Sequence, residues 1–377
     1  MKDKTALFIS CSEHYHHRFC VVDDYFRSCG YKTTYITSDF DHASKSFFVC
    51  QVAGCVQIHA LPYKKNLSIA RILSHFRFAR DLYRYLEEQP EEPDVIIALL
   101  PPNFLAHFLA KYKKRHPNVK LIFDIFDLWP ETFPSNKLEK VLSPLFSVWA
   151  WLRNHSLPKA DWVLTECDYF RQRLGLGGEK ASTIYLCLDA ADTQSETVCL
   201  REDAWDFCYL GAINNVIGIS EICHLIRSLT KIKPVTLHII GAGERQQEFM
   251  DSVEAAGAKV VYYGTIFDQK KKQEIINRCH FGLNVISSNA CIGLTMKSVD
   301  YFRCGLPIIN NVPADTADLI KEYHAGVQVD ADGIEYLLDM SVAENLQIRE
   351  NVAKLFEEKF SKAVVYQEYR QLLETLL

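Results

Sequence analysis

Short apolar runs alternate with amphipathic segments along most of the chain. The amphipathic segments repeat apolar residues at helical spacing, as in "IARILSHFRFARDLYRYLEE", and the apolar runs have the length of buried strands. In the first half these runs are "TALFIS", "KTTYIT", "VQIHAL", "DVIIALL", "VKLIFDIF" and "DWVLTE". Strands that alternate with helices are typical of a parallel sheet covered by helices on both faces. The pattern predicts an α/β, Rossmann-like domain over residues 1–190.

A second domain of the same kind follows a polar interruption. Residues 189–203, "DAADTQSETVCLRED", have weak periodicity, and we interpret them as the interdomain connection. The alternation restarts at "WDFCYLGAI" and predicts a second doubly wound domain over residues 204–360. We expect a final helix over residues 361–377 to pack back on the first domain. Two such domains in tandem would face a cleft, and ligands of these sheets lie beyond the carboxyl ends of the strands.

Composition narrows the class of protein. The chain has 377 residues, and none of its apolar stretches approaches the ~18 residues of a membrane-spanning helix. Its amino terminus shows no hydrophobic region of a secretory signal. The 13 cysteines are odd in number and form no CxxC pair, which favours reduced thiols over disulfides or zinc ligands. We therefore expect a cytoplasmic protein that holds no metal.

Charge is distributed unevenly. Residues 1–180 carry 24 Lys and Arg against 20 Asp and Glu, whereas residues 181–377 carry 18 against 27. Basic and apolar residues are interleaved in "YKKNLSIARILSHFRFAR" and "LAKYKKRH". Such segments are found on anionic membrane surfaces and also on ordinary surface helices. The first domain is thus a candidate for contact with an anionic partner, and we expect no nucleic-acid partner.

The stretch "GLTMKSVDYFRCGLPII", residues 293–309, carries the sharpest candidate chemistry. If "TMKSVDYFRC" is a helix, Lys297 and Asp300 share one face because they are three residues apart. Lys297 in the first turn can reach a diphosphate, and Asp300 can accept hydrogen bonds from ribose hydroxyls. A surface ion pair is the alternative interpretation.

Glycines follow three strand-like runs of the second domain. Gly241 and Gly243 in "IIGAG" permit a tight turn at a helix start, where a phosphate can approach the backbone. Gly211 follows "FCYL", with Asn214 close behind as a local donor, and Gly264 follows "VVYY". We therefore consider all five as donor-side candidates, although plain strand-to-helix turns also account for such glycines.

The stretch "FDIFDLWPETFP", residues 123–134, leaves a first-domain strand and concentrates carboxylates. Asp124, Asp127 and Glu131 lie within eight residues. A carboxylate at the carboxyl end of a strand can position a hydroxyl or act as a base. Asp127 is the best candidate for that role, and an Asp that caps a turn beside a packed Trp is the alternative.

Three histidines follow the first strand. His14, His16 and His17 in "SEHYHHRF" lie in the loop where they can line the same side of the sheet. A solvated loop explains them equally well.

These segments together resemble a known family. "DLWPE", "MKSVDYFRCGLPII", "YLGAINNVIGISEI" and "IIGAG" are similar to elements of GT-B glycosyltransferases, specifically of the family 4 type that builds bacterial surface polysaccharides. The order of these elements covers nearly the whole chain. The resemblance implies that the first domain binds the acceptor and the second binds a nucleotide-sugar donor, which we expect to be linked to UDP.

Some site residues carry over from that resemblance. Lys297 matches the family lysine near the donor phosphates, Asp300 takes the place of the ribose-binding Glu, and Gly211 matches the glycine beside the diphosphate. The chain departs from the family at Ile292 and Phe126, where many relatives carry Glu and His. The choice between a retaining and an inverting reaction is therefore left open.

The resemblance also implies a mechanism. Negative charge develops on the leaving β-phosphate, and we expect Lys297 with the amides near Gly211 to stabilise it without a metal or another cofactor. Asp127 would position or deprotonate the acceptor hydroxyl. The acceptor is expected to be lipid-linked, with the protein at the inner face of the membrane. A sugar-nucleotide epimerase and a non-catalytic partner subunit of the same fold are the alternatives.

Overall fold

The computed structural model describes residues 4–13, 16–65, 68–132, 137–189, 197–287 and 292–377. The chain divides into two units. The first comprises Met1–Leu186 together with Val365–Leu377, and the second comprises Cys187–Val364.

The first unit is built on a sheet of seven parallel strands in the order β5-β2-β1-β6-β7-β8-β9. In chain order its strands are β1 (Thr5–Ile9), β2 (Lys32–Ser38), β5 (Val56–Ile58), β6 (Val95–Leu100), β7 (Lys120–Ile125), β8 (Trp162–Thr165) and β9 (Ala181–Thr183). A short antiparallel pair, β3 (Phe40–Asp41) and β4 (Ser46–Phe47), precedes β5. The central strand β6, "VIIALL", is buried at every position, as expected for a parallel strand covered on both faces.

Amphipathic helices connect these strands. They are α1 (His16–Ser28), α2 (Ile69–Glu88), α3 (Asn103–Arg115), α4 (Lys137–Ser156) and α5 (Asp168–Arg173), with a 3-10 turn at Leu157–Lys159. Helix α2 begins at a Ser68 cap, whose hydroxyl accepts from the Arg71 backbone N–H. Helix α3 packs against both α2 and α4.

The second unit has a six-stranded parallel sheet in the order β12-β11-β10-β13-β14-β15. Its strands are β10 (Trp205–Leu210), β11 (Val235–Ile240), β12 (Lys259–Gly264), β13 (Phe281–Asn284), β14 (Ile308–Asn310) and β15 (Gly326–Gln328). Its helices are α6 (Ile219–Leu229), α7 (Gln246–Ala255), α8 (Gln269–Ile276), α9 (Met296–Arg303), α10 (Asp315–Tyr323), α11 (Ala331–Asp339) and α12 (Val342–Lys359). Strands β10 and β11 are buried at every position.

The last helix, α13 (Lys362–Leu376), returns to the first unit from Val365 onward. The Tyr366 ring lies 6.0 Å from that of Tyr25 on α1, and its hydroxyl lies 3.4 Å from the Ser28 hydroxyl. The helix buries Val365 and Tyr369. The first unit is therefore assembled from two separated parts of the sequence.

Both sheets reverse their direction of winding at one point. In the first unit β1 lies between β2 and β6, and in the second unit β10 lies between β11 and β13. The predicted fold class, two Rossmann-like halves with parallel sheets, is confirmed. No helix among the described residues is both long enough and apolar enough to cross a membrane.

Candidate functional site

A pocket lies at the winding reversal of the second unit, beyond the carboxyl ends of β10 and β13, where ligands bind in such sheets. Its wall combines residues after β10, residues at the end of β13, and the start of α9. Among them are Tyr209, Gly211, Asn214, Asn284, Ile292, Thr295, Lys297 and Asp300. The structure thus brings together four of the predicted donor-side residues.

Helix α9 is held at its start by a network of polar side chains. Thr295 caps the helix by accepting from the Ser298 backbone N–H, and its hydroxyl donates to Asn284 at 2.8 Å. The Asn284 amide in turn donates to Asn310 at the end of β14. Asn284 and Asn310 are both fully buried, and these hydrogen bonds tie the first turn of α9 to two strand ends.

The far end of α9 is anchored beneath the sheet by Tyr301. Its hydroxyl accepts from the Leu210 backbone N–H at 2.8 Å and donates to the Cys208 carbonyl at 3.0 Å. The ring passes so close to Gly282 that a β-carbon there would lie 2.7 Å from it. A glycine at position 282 therefore allows the tyrosine to cross the strand. This pair fixes the helix that carries Lys297.

Lys297 contributes its ammonium group to the wall of this pocket. Its ammonium lies 3.9 Å from the centre of the Tyr209 ring, a cation–π contact. A β-carbon on Gly211, whose φ is +116°, would come within 3.6 Å of the Lys297 Cε. Burial lowers the pKa of Lys297 to about 7. An anion in the pocket would favour the charged form.

Asp300 lies on the same wall, one helical turn after Lys297. Its Oδ1 accepts from Arg303 at 2.7 Å. Its side chain is part-exposed to the pocket. Among the described residues, Asp300 therefore forms its ion pair with Arg303 and not with Lys297.

Three predicted glycines do not line this pocket. A β-carbon on Gly241 would lie 2.0 Å from the Gly211 carbonyl oxygen, and one on Gly243 would lie 2.2 Å from that of Ile213. Both glycines thus let neighbouring loops pack closely. Gly264 ends β12, and its carbonyl accepts from the Gly241 N–H at 2.8 Å. Close backbone packing explains the "IIGAG" turn.

In the first unit, Asp124 departs from its predicted role on the acceptor side. It is fully buried at the end of β7, and its two oxygens accept from the Arg18 guanidinium at 2.7 and 2.8 Å. Arg18 also donates to the Ile184 carbonyl. A carboxylate held in this way stabilises the core. Because its side chain is fully buried, it is not exposed to an acceptor hydroxyl.

Asp127 lies in a different environment from Asp124. Its Oδ1 accepts from the Thr132 hydroxyl at 2.6 Å, and burial raises its pKa although hydrogen bonds from Thr132 and Trp129 oppose the rise. Glu131 pairs with the buried Arg153, which donates to both of its oxygens. Of the three carboxylates, Asp127 is therefore the one with the environment of a base.

The histidines after β1 are only partly described. His14 lies outside the described residues. His16 begins α1, where its ring is 4.6 Å from that of Tyr35 and burial lowers its pKa. His17 follows it and is exposed.

The family comparison concerns the second unit. Residues 205–340 match the family model described as "Glycosyl transferases group 1", a span that contains the pocket. A segment of 99 residues is 30% identical to a chitobiosyldiphosphodolichol beta-mannosyltransferase of Yarrowia lipolytica, covering 26% of this chain and 21% of that protein. The match thus spans about a fifth of the length of this curated relative.

Solved structures match the whole chain. Anabaena Alr3699/HepE, determined in complex with UDP and glucose, has a TM-score of 0.65 at 14% identity and covers 99% of this chain and 100% of its own. The lipopolysaccharide outer core galactosyltransferase WaaB, in its apo form, has a TM-score of 0.68 at 14% identity with the same coverage. These likenesses show the GT-B fold. With the family match over residues 205–340, they confirm the resemblance to GT-B glycosyltransferases that the motifs indicated.

Proposed function

We propose that this chain, a GT-B glycosyltransferase by its fold and by the family of its second unit, moves a sugar from a nucleoside-diphosphate donor to a saccharide acceptor. The observation that carries the proposal is the pocket in which Lys297 and Asp300 occupy one wall, at the winding reversal of the second sheet. One side chain suits the diphosphate and the other suits the ribose.

The donor chemistry follows from this arrangement. As the glycosyl bond breaks, negative charge develops on the β-phosphate. Lys297 and the start of α9 supply positive charge where it develops, while Gly211 leaves room for the backbone to approach. We propose that these groups act without a metal ion. UDP is the proposed nucleotide, a choice supported by the UDP bound to the structural relative HepE.

Replacing Asp300 with asparagine should weaken binding of a nucleoside diphosphate by about ten-fold, because a hydrogen bond to a charged acceptor becomes a neutral one. The fold should be retained, since Asp300 lies at the pocket surface. Calorimetry with UDP, ADP and GDP measures the affinities and identifies the preferred nucleobase. Glu221→Gln, on α6 of the same unit, is the matched control. Unchanged affinity in Asp300→Asn would remove the ribose assignment.

We further propose that the acceptor is lipid-linked and belongs to the synthesis of a surface polysaccharide. The lipid-linked saccharide in the name of the Yarrowia relative, and the lipopolysaccharide in that of WaaB, support this class. Asp127, whose pKa is raised by burial, would position or deprotonate the acceptor hydroxyl.

The first unit also carries a surface suited to a membrane. Exposed apolar side chains recur at helical spacing on α2 and α4, and basic residues accompany those on α2. The apolar residues are Ile69, Leu73 and Phe76 on α2 and Leu145, Val148 and Trp151 on α4. The exposed basic residues include Arg77 and Arg84. We propose that this surface contacts the anionic inner face of a membrane.

Leu73→Glu should lower binding to vesicles of phosphatidylcholine and phosphatidylglycerol by about ten-fold or more, because a leucine that would enter the interface is lost. Co-sedimentation measures the bound fraction. Phe267→Glu, which removes a still more exposed apolar residue of the second unit (86% against 52% for Leu73), should bind as the wild type does. Equal losses in both variants would argue against this surface.

A further inference from the structure

A second pocket lies wholly within the first unit, at the winding reversal of its sheet. Residues that follow four neighbouring strands line it, together with one face of α2. They include Ser12 after β1, Ser38 at the end of β2, Pro101 after β6 and Trp129 after β7. We call it the Arg71 pocket. Its position is the one at which doubly wound sheets bind ligands.

Arg71 on helix α2 gives this pocket its positive charge. Arg71 and His75 project from successive turns of the helix, and the Arg71 guanidinium lies 4.1 Å from the centre of the Trp129 ring. The His75 ring is stacked parallel to the same indole at 5.8 Å. His42 lines the pocket as well, and the lining residues that the structure describes include no Asp or Glu. The wall is therefore cationic and aromatic.

Two polar groups in the wall lack partners. His75 is 4% exposed, and its Nδ1 is buried without a hydrogen-bond partner among the described residues. The Ser12 hydroxyl is likewise buried and has no hydrogen-bond partner among the described residues. Buried polar groups are normally satisfied, because leaving them unpaired is costly. Two unsatisfied groups beside a guanidinium indicate a site made for a polar ligand.

We infer that the Arg71 pocket binds an anionic group of the acceptor, a carboxylate or a phosphate. The planar guanidinium of Arg71 suits either anion in a bidentate manner, and Ser12 and His75 can each donate a hydrogen bond. The aromatic wall suits the sugar ring that carries the anion. Asp127 is hydrogen-bonded to Trp129, which places a base beside the pocket. This inference rests on the proposed function, because it names the class of acceptor.

The test compares three small probes by ligand-observed NMR titration. Glucose 1-phosphate carries a phosphate, glucuronate carries a carboxylate, and methyl glucoside carries no charge. The titrations use the full chain in a Lys297→Ala background, so that the pocket of the second unit does not contribute phosphate binding. We expect at least one anionic probe to bind at least about ten-fold more tightly than methyl glucoside. The anionic probe that binds more tightly shows whether the acceptor group is a phosphate or a carboxylate.

Variants of pocket residues show whether the anionic probe binds in the Arg71 pocket. Arg71→Gln should weaken the anionic probe by about ten-fold or more, whereas Arg84→Gln, which removes an exposed cation from the same helix, should not. Ser12→Ala keeps the fold even where Arg71→Gln does not, because the Ser12 hydroxyl has no bond to lose among the described residues. It should weaken the probe several-fold. Equal affinity in Arg71→Gln and Arg84→Gln, or in Ser12→Ala and its parent, would overturn the inference.

A separate measurement keeps this inference apart from the proposed function. Nucleoside-diphosphate affinity should be unchanged by Arg71→Gln in an otherwise wild-type chain, since Arg71 belongs to the first unit. A chain that binds the anionic probe but no nucleotide would refute the proposed function alone. A chain that binds nucleotide while methyl glucoside binds as tightly as both anions would refute the acceptor class alone.

Discussion

Replacing Lys297 with alanine lowers kcat by about a hundred-fold or more, while the affinity for the free nucleoside stays near that of the wild type. We expect this because the proposed role of the ammonium is to stabilise charge that develops on the leaving phosphate, so its contribution would be largest in the transition state. Steady-state kinetics with the donor, together with nucleoside and nucleoside-diphosphate affinities, measure the effect. Lys270→Ala, which removes an exposed lysine from α8 of the same unit, serves as control.

The pH dependence of diphosphate binding gives the same assignment an independent check. With the pKa of Lys297 near 7 in the unliganded pocket, the diphosphate must raise that pKa when it binds. Affinity is then full below pH 7 and falls as the pH rises above it, in a range where the phosphate charge no longer changes. Lys297→Arg should lose this dependence and regain only part of the turnover, because its planar group places the charge differently. A variant at position 297 with full turnover would return Lys297 to a packing role against Tyr209.

Replacing Asp127 with asparagine lowers turnover by about a hundred-fold or more if this carboxylate takes the acceptor proton. Asparagine keeps an oxygen for the Thr132 hydroxyl, so the loop retains that contact. Donor affinity should be preserved, because Asp127 lies in the first unit and the proposed donor pocket lies in the second. The measurement is kcat with a saturating donor, set beside the calorimetric affinity for the nucleoside diphosphate.

The pH profile separates a base from a structural carboxylate. Because burial raises the pKa of Asp127, wild-type turnover should fall as the pH drops through this raised value, where the base becomes protonated. Thr132→Val removes one hydrogen bond that holds the pKa down and should move the loss of activity to higher pH. If Asp127→Asn weakens donor binding as much as turnover, the "DLWPE" loop has a structural role instead.

Local sequence patterns were sufficient to predict the helices and strands and one candidate site. Buried strands such as β6 and β10 are continuous apolar runs, which mark parallel strands in any sequence. Lys297 and Asp300 could be placed on one wall because their spacing and the flanking Thr295 define a capped helix. Both inferences need only residues that are close together in the chain.

Long-range contacts account for what the sequence did not reveal. Asp124 looked available because its partner, Arg18, lies 106 residues away. Tyr301 crosses Gly282, and Arg71 meets Trp129, through folding that no local pattern records. The pairing of Arg71 with His75 on one face of α2 was the only signal for the first-unit pocket. In the sequence α2 has the pattern of an ordinary basic amphipathic helix, and its contact with Trp129, which follows β7, is seen only in the structure.

The return of α13 to the first unit has a consequence for synthesis on the ribosome. Val365–Leu377 are synthesised only after Cys187–Val364. Helix α1 therefore lacks its contact with α13 while the whole second unit is translated. At the usual elongation rates this interval lasts about 10 to 35 seconds. Throughout it Tyr25 lacks the contact with Tyr366 that it makes in the folded protein. The first unit can thus be completed only after the whole second unit has been synthesised.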